Sequence, residues 1–130
     1  MCIRDSVVAG AVSRGFLVPA TTLDSQPYGF FYDLDAYKRN LKELRDAFPE
    51  HWHHATAVKT NPLAAMLQMA LEDGHGAECA SIGEVIHSLQ MGFAGPDVVF
   101  DCPCKTIPEI KHAIDNKVRQ ISRFRPRTSI

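Results

Sequence analysis

The sequence predicts an α/β fold, a parallel sheet or barrel of which the chain holds roughly the first four to five β/α units, about half of an eight-stranded barrel. Three observations predict it. From Gly29 onward, short apolar runs alternate with longer stretches of helical period. Those stretches open on Asp33, Asn61, Ser81 and Thr106, residue types that cap helix N-termini. The strand-plus-helix unit then recurs every ~22 to 25 residues, about four times over.

The first strand is expected at Gly29 to Tyr32, followed by a helix that Asp33 caps. Its apolar positions Leu34, Tyr37, Leu41, Leu44 and Phe48 step by three and four, with Lys38, Arg39, Lys42, Glu43 and Arg45 on the outer face and Pro49 as the stop. A second strand, about His53 to Lys59, runs into Thr60-Asn61-Pro62. There Asn61 can cap and Pro62 suits the first helical position, since it needs no amide partner. The helix should bury Leu63, Met66, Leu67, Ala70 and Leu71.

Gly74-His75-Gly76 reads as a turn, with His75 part of it, and Ala77 to Ala80 as the third strand. Ser81-Ile82-Gly83-Glu84 has the spacing of a reciprocal capping box, and Ile82, Val85, Ile86 and Leu89 make the apolar stripe that follows. Asp97 to Phe100 is the fourth strand. Thr106 and Glu109 again suit a capping box, Pro108 falls in the first turn, and Ile107, Ile110, Ala113 and Ile114 should face inward. Val118 to Ser122 starts a fifth strand.

Both ends break this pattern. Met1 to Ser6 joins nothing periodic, and Arg123-Phe124-Arg125-Pro126-Arg127 interrupts a strand where a helix should begin. The expected organisation is a leader over residues 1–27 with artefactual first residues, a half-barrel over 28–122, and a non-native or frame-shifted tail over 123–130.

At 130 residues and 45% hydrophobic content the chain can bury one modest core. Its 14 Lys and Arg against 15 Asp and Glu give a net charge of -1, which offers no field for nucleic acid or an anionic membrane. The apolar stretch Val7 to Val12 is far too short to span a bilayer. Cys2, Cys79, Cys102 and Cys104 form no disulfide framework, so a reducing, cytoplasmic setting is expected, with organellar import left open. Cys102-Pro103-Cys104 has one residue between its cysteines, against two in the common redox and zinc pairs, and reads as buried small side chains at a strand end. His51-Trp52-His53-His54 lacks a matching set of ligands and reads as a solvated loop, so no metal site is expected.

Lys59 carries the chemistry. It closes the apolar run Ala55-Thr56-Ala57-Val58, and in a parallel barrel the C-terminal strand ends form the active site. A semi-buried amine there loses solvation of its charged form, its pKa falls, and the neutral amine can attack an aldehyde. On position alone, a lysine at a strand end is also compatible with a snorkelling surface residue.

Ala57-Val58-Lys59-Thr60-Asn61 resembles the lysine motif of the ornithine/diaminopimelate/arginine decarboxylases, pyridoxal-phosphate enzymes built on an alanine-racemase-like, TIM-like (β/α)8 barrel. Three further segments agree in order. Phe30-Phe31-Tyr32-Asp33-Leu34-Asp35 is similar to the family's opening strand, Glu78-Cys79-Ala80-Ser81 with Glu84 to its third-strand turn, and Val99 through Lys105 to its fourth. Thr56 stands where the family usually has an aromatic residue, Thr60 where it has a different small one, and Glu78 where it has Asp, one methylene shorter.

The resemblance implies a Schiff base between Lys59 and pyridoxal 5'-phosphate, with Ala57 and Glu78 beside the cofactor. It implies a carboxy-lyase acting on a small-molecule diamino acid, diaminopimelate first and ornithine or arginine next. A homodimer is implied for the full-length protein. Ring-nitrogen, phosphate and substrate-reading residues belong to later strands and the partner subunit. This chain alone is therefore expected to have no turnover. A catalytically silent pyridoxal-phosphate-binding homologue is the alternative reading, and an amino-acid racemase a third.

Overall fold

Parallel strands cannot be joined by a tight turn, so each strand here is followed by a helix that carries the chain back. The structure, a computed structural model, describes residues 3–17 and 30–122. By internal contacts the chain divides into two units, Met1–Asp33 and Leu34–Ile130.

The first unit contributes α1 (Ile3–Ser13), a helix where the sequence pattern assigned none. The predicted strand at Gly29 to Tyr32 does not form: among the described residues, Phe30 to Tyr32 carry no strand, and Gly29 lies outside them. A strand needs ladder partners and a covered face. Phe30, Phe31 and Tyr32 are instead 80%, 50% and 48% exposed.

The second unit runs α2 (Leu34–Asp46), β1 (Ala55–Ala57), a single 3-10 turn (Val58–Thr60), α3 (Ala64–Glu72) and β2 (Gly76–Cys79). It continues with α4 (Ile82–Gln90), a second 3-10 turn (Gly95–Asp97), β3 (Val98–Phe100), α5 (Ile107–Asp115) and β4 (Gln120–Ile121). The four strands form one parallel sheet in the order β1-β2-β3-β4. Crossovers of this kind are right-handed, and three in succession, each moving one strand in the same direction, put α3, α4 and α5 on one face. That is the winding of a barrel wall rather than of a doubly wound sheet.

Register decides what each face carries. Thr56, Ala77 and Val98 are cross-strand partners, as are Cys79, Phe100 and Ile121, and both rows point toward the helices. Ala77, Cys79, Val98 and Phe100 are fully buried there, in one core with Val58, Leu67, Val85, Phe93 and Ala113. Ala57, Glu78, Val99 and Gln120 form the alternate row on the opposite face, and none of the four is buried.

The helices follow their local signals, with shifts. Ser81 caps α4 by accepting from Glu84 N at 3.3 Å, but Glu84 Oε2 accepts from Ala80 N at 2.7 Å rather than from the cap residue. At α5 the box is complete: Thr106 Oγ1 accepts from Glu109 N and Glu109 Oε2 from Thr106 N. Helix α3 starts at Ala64, beyond Pro62, and Asn61 Oδ1 takes the Leu63 amide at 3.3 Å in a turn of its own.

Several inward expectations are corrected. In α2 only Leu41 is buried, while Leu34 and Leu44, and Phe48 just beyond the helix, are about two-fifths exposed. Leu63, Ile86, Ile107 and Ile114 are exposed too, Ile107 at 83%. In α4 the core takes Ser88 instead, whose Oγ lies 3.4 Å from Cys79 Sγ. One helix face can meet the sheet, and residues on its flanks await a neighbour that the described residues do not supply.

Two glycines sit where chains meet. A Cβ on Gly76 would stand 2.2 Å from the Asp97 carbonyl oxygen, and one on Gly95 would stand 1.8 Å from that of Asn116. Gly83, inside α4, has nothing nearer than Ser81 Oγ at 3.8 Å. Urea unfolding followed by circular dichroism should therefore separate the sites. Gly76→Ala should cost about 1–3 kcal/mol through backbone displacement, whereas Gly83→Ala should stabilise by about 0.5–1 kcal/mol through helix propensity.

Candidate active site

Strand β1 delivers Lys59 to the C-terminal end of the sheet through the 3-10 turn. Val58, fully buried, pins the turn to the core. Thr60 Oγ1 donates to Ala57 O at 2.7 Å and Asn61 N to Val58 O at 3.1 Å, closing it from the other side. Lys59 is thus held at its backbone while its side chain is free to leave the sheet. The strand expected over His53 to Lys59 spans only Ala55–Ala57, so Lys59 stands two residues beyond its end, inside the turn.

Its amine reaches the open-face row. Lys59 Nζ is 3.9 Å from Glu78 Oε2, and Glu78 is the direct cross-strand partner of Ala57. All three residues singled out by the sequence are therefore brought together. The Glu78 side chain is 20% exposed and its Oε1 is buried with no hydrogen-bond partner. A buried carboxylate oxygen without a donor is costly, so this atom is placed to receive one.

The expected desolvation of Lys59 is not found. Its side chain is 58% exposed, beside a row in which Ala57, Glu78 and Val99 are half-buried and Gln120 is exposed. An ion pair this open contributes at most a few tenths to about 1 kcal/mol. It orients the amine more than it stabilises the fold.

Other candidates part from their sequence readings. Cys79 is buried, and its thiol is pushed up to about 11 by loss of hydration, with Glu84 and Glu78 adding to the shift against the Ser88 hydrogen bond. Cys104 is exposed rather than buried, and Cys102, half-buried, donates from Sγ to Cys104 O at 2.8 Å. The histidine loop is only partly solvated. His51 and Trp52 are exposed, but Nε2 of both His53 and His54 is buried and unpartnered. His54 packs between the Phe48 and His75 rings at 5.1 and 5.8 Å. No group of three potential metal ligands occurs among the described residues.

His75 is the residue whose surroundings the sequence hid. Its backbone turns as expected after Gly74 at φ +81°, yet the ring is 3% exposed, with Nε2 donating to Leu41 O at 3.1 Å and 3.3 Å from Asp73 Oδ2. Arg45 binds the same turn through Asp73 O and Oδ1. This cluster lies at the N-terminal strand ends, the sheet end away from Lys59.

Comparison with known proteins finds relatives over most of the second unit. Residues 34–123 match the family described as "Pyridoxal-dependent decarboxylase, pyridoxal binding domain". Diaminopimelate decarboxylase of Campylobacter jejuni is 30% identical over 94 residues, covering 72% of this chain and 23% of that protein. Ornithine decarboxylase of Neurospora crassa is 33% identical over 66 residues, covering 51% of this chain and 14% of that protein. The crystal structure of diaminopimelate decarboxylase from Helicobacter pylori complexed with L-lysine superposes with a TM-score of 0.63 at 28% identity, over 68% of this chain and 23% of that one. The chain thus spans about a quarter or less of the length of these relatives.

At the opposite end, His53 gives a pH signature. Burial lowers its pKa below 6.5, and Arg119 lowers it further, outweighing the pull of Asp97 in the other direction. A depressed histidine binds fewer protons folded than unfolded. Its contribution is fully present above the unfolded pKa of 6.5 and is lost as pH falls through the folded value. The unfolding midpoint should therefore drop as pH falls below 6.5, and His53→Gln should flatten that drop. An equally steep drop in the variant would assign it to other groups.

Proposed function

Because the chain belongs to the pyridoxal-dependent decarboxylases, by way of their pyridoxal binding domain, we propose that Lys59 is the residue that holds the cofactor covalently. The observation that carries this is the pairing of the open Lys59 amine with Oε2 of Glu78, a carboxylate whose other oxygen, Oε1, is buried without a donor, at the C-terminal end of a parallel sheet.

The residues fit the group. Ala57, in register with Glu78, is small enough to let a flat ring approach the open face. Glu78 Oε1 can accept a hydrogen bond from it, while Oε2 keeps the Lys59 amine on the same side. Val58 and the Thr60 and Asn61 hydrogen bonds fix where the lysine stem begins. When bound, pyridoxal phosphate supplies a conjugated ring that takes up the electron pair left on carbon as carbon dioxide departs from an amino acid. Lys59 must shed a proton to bond an aldehyde carbon, and the adjacent Glu78 carboxylate is the group that can receive it.

The longer protein is proposed to decarboxylate a diamino acid, diaminopimelate before ornithine or arginine. The support is that relatives carrying both names match, the diaminopimelate enzyme over the larger share of this chain. A homodimer is proposed for it, since the Lys59 side chain is 58% exposed and a second subunit can close over it.

Incubation of the chain with pyridoxal phosphate, reduction with cyanoborohydride and peptide mapping should place the pyridoxyl group on Lys59 well ahead of the exposed Lys38 and Lys42. Lys59→Ala should abolish the visible band that the cofactor acquires on an amine. Labelling spread evenly over exposed lysines would remove the assignment.

A further inference from the structure

A second lysine stands at the same end of the sheet. Lys105 follows β3 as Lys59 follows β1, two strand spacings or about 10 Å across the sheet. Unlike Lys59 it is partly buried, and its amine is engaged. Nζ donates to Cys102 O and to Ser122 O and lies 4.8 Å above the centre of the Phe100 ring. An ammonium has three N–H donors. Two of them go to carbonyls, and the charge also lies over an aromatic face.

Placement gives this arrangement its meaning. The parallel ladder at this end finishes with Asp101 N donating to Cys79 O at 2.8 Å and Ser122 N to Phe100 O at 3.0 Å. Beyond it, strand carbonyls point outward with no amide to meet them. Lys105 takes up the next two acceptors past the ladder, one on the turn after β3 and one after β4. It replaces backbone pairing where the chains diverge, and Phe100, itself fully buried, roots the tie in the core.

We propose that Lys105 is a positioning residue that fastens the 101–106 turn to the end of β4 at the sheet end carrying Lys59. The turn presents the exposed Asp101 and the half-buried Cys102. Held by three contacts, it forms a fixed wall of that end. A neutral side chain at 105 leaves two carbonyls without a donor and frees the turn, while the helix-facing core stays intact. The lysine is not an aldehyde-reactive amine, because its donors are committed to carbonyls and ring.

The cysteines report on this directly. In the full chain, Cys102 lies on the turn and Cys79 in the core beneath it, so maleimide labelling read by peptide mapping separates local from global loosening. Lys105→Met should raise the Cys102 labelling rate by about tenfold, the scale set by one lost hydrogen bond to a charged donor, with Cys79 still protected. Lys105→Arg should restore the slow rate. Unchanged Cys102 labelling in Lys105→Met, or Cys79 rising in step with it, would overturn the proposal. So would failure of Arg to restore.

A second arm rests on the cofactor reading. Pyridoxyl trapping at Lys59 should slow several-fold in Lys105→Met at an unchanged Cys79 rate. If wild-type Lys59 is never labelled, that reading fails while the cysteine result still decides the role of Lys105.

Discussion

The parallel register of β1, β2 and β3 is the constraint on which the rest depends. Pairing Ala57 with Glu78 and Glu78 with Val99 fixes one face, and by the two-residue period of a strand it fixes the other as Thr56, Ala77, Val98 and then Cys79, Phe100. A slip of one residue would bury Glu78 among the helices and expose Cys79. The register is enforced where backbones nearly touch, at Gly76 against Asp97 and at Gly95 against Asn116. Neither position has room for a side chain, so the glycines let β2 and the segment before β3 settle at the depth that the hydrogen bonds require.

From that register the division of labour follows. In the helix-facing rows Ala77, Cys79, Val98 and Phe100 are fully buried and hold the unit together. The opposite row is partly exposed, and it is the one that reaches Lys59 through Glu78. The proposed anchor thus sits on the less buried face. One carboxylate oxygen of Glu78 is nevertheless buried there without a donor.

What the sequence made legible was local. Ser81, Glu84, Thr106 and Glu109 act within one turn, so α4 and α5 begin where their caps stand. The place of Lys59 near a strand end was legible from the apolar run before it, while its proposed role comes from the resemblance of Ala57 to Asn61 to a family motif. The less legible features depend on distant partners. His75 is buried because Leu41, 34 positions earlier, turns its carbonyl to the ring. The 3-10 turn that carries Lys59 exists because Val58 is drawn into the core, which pulls the chain out of extended geometry one residue sooner than the apolar pattern implies. Ile107 and Ile114 share the helical period of buried Ala113 but lie off the line of contact with the sheet, and periodicity alone does not give the width of that contact.

The two lysines at the C-terminal end show how one side chain acquires two uses. Both follow a strand and both carry the same amine. Lys59 emerges after a turn whose carbonyls are already taken, by Thr60 Oγ1 and Asn61 N, so its amine finds no backbone acceptor and extends to a carboxylate across the strand. Lys105 emerges beside carbonyls of Cys102 and Ser122 that the ladder has left behind, and it folds back onto them. Availability of the amine is set by whether the neighbouring backbone is satisfied. A strand end that closes its own hydrogen bonds leaves its lysine amine open, and one that does not ties the amine to its backbone.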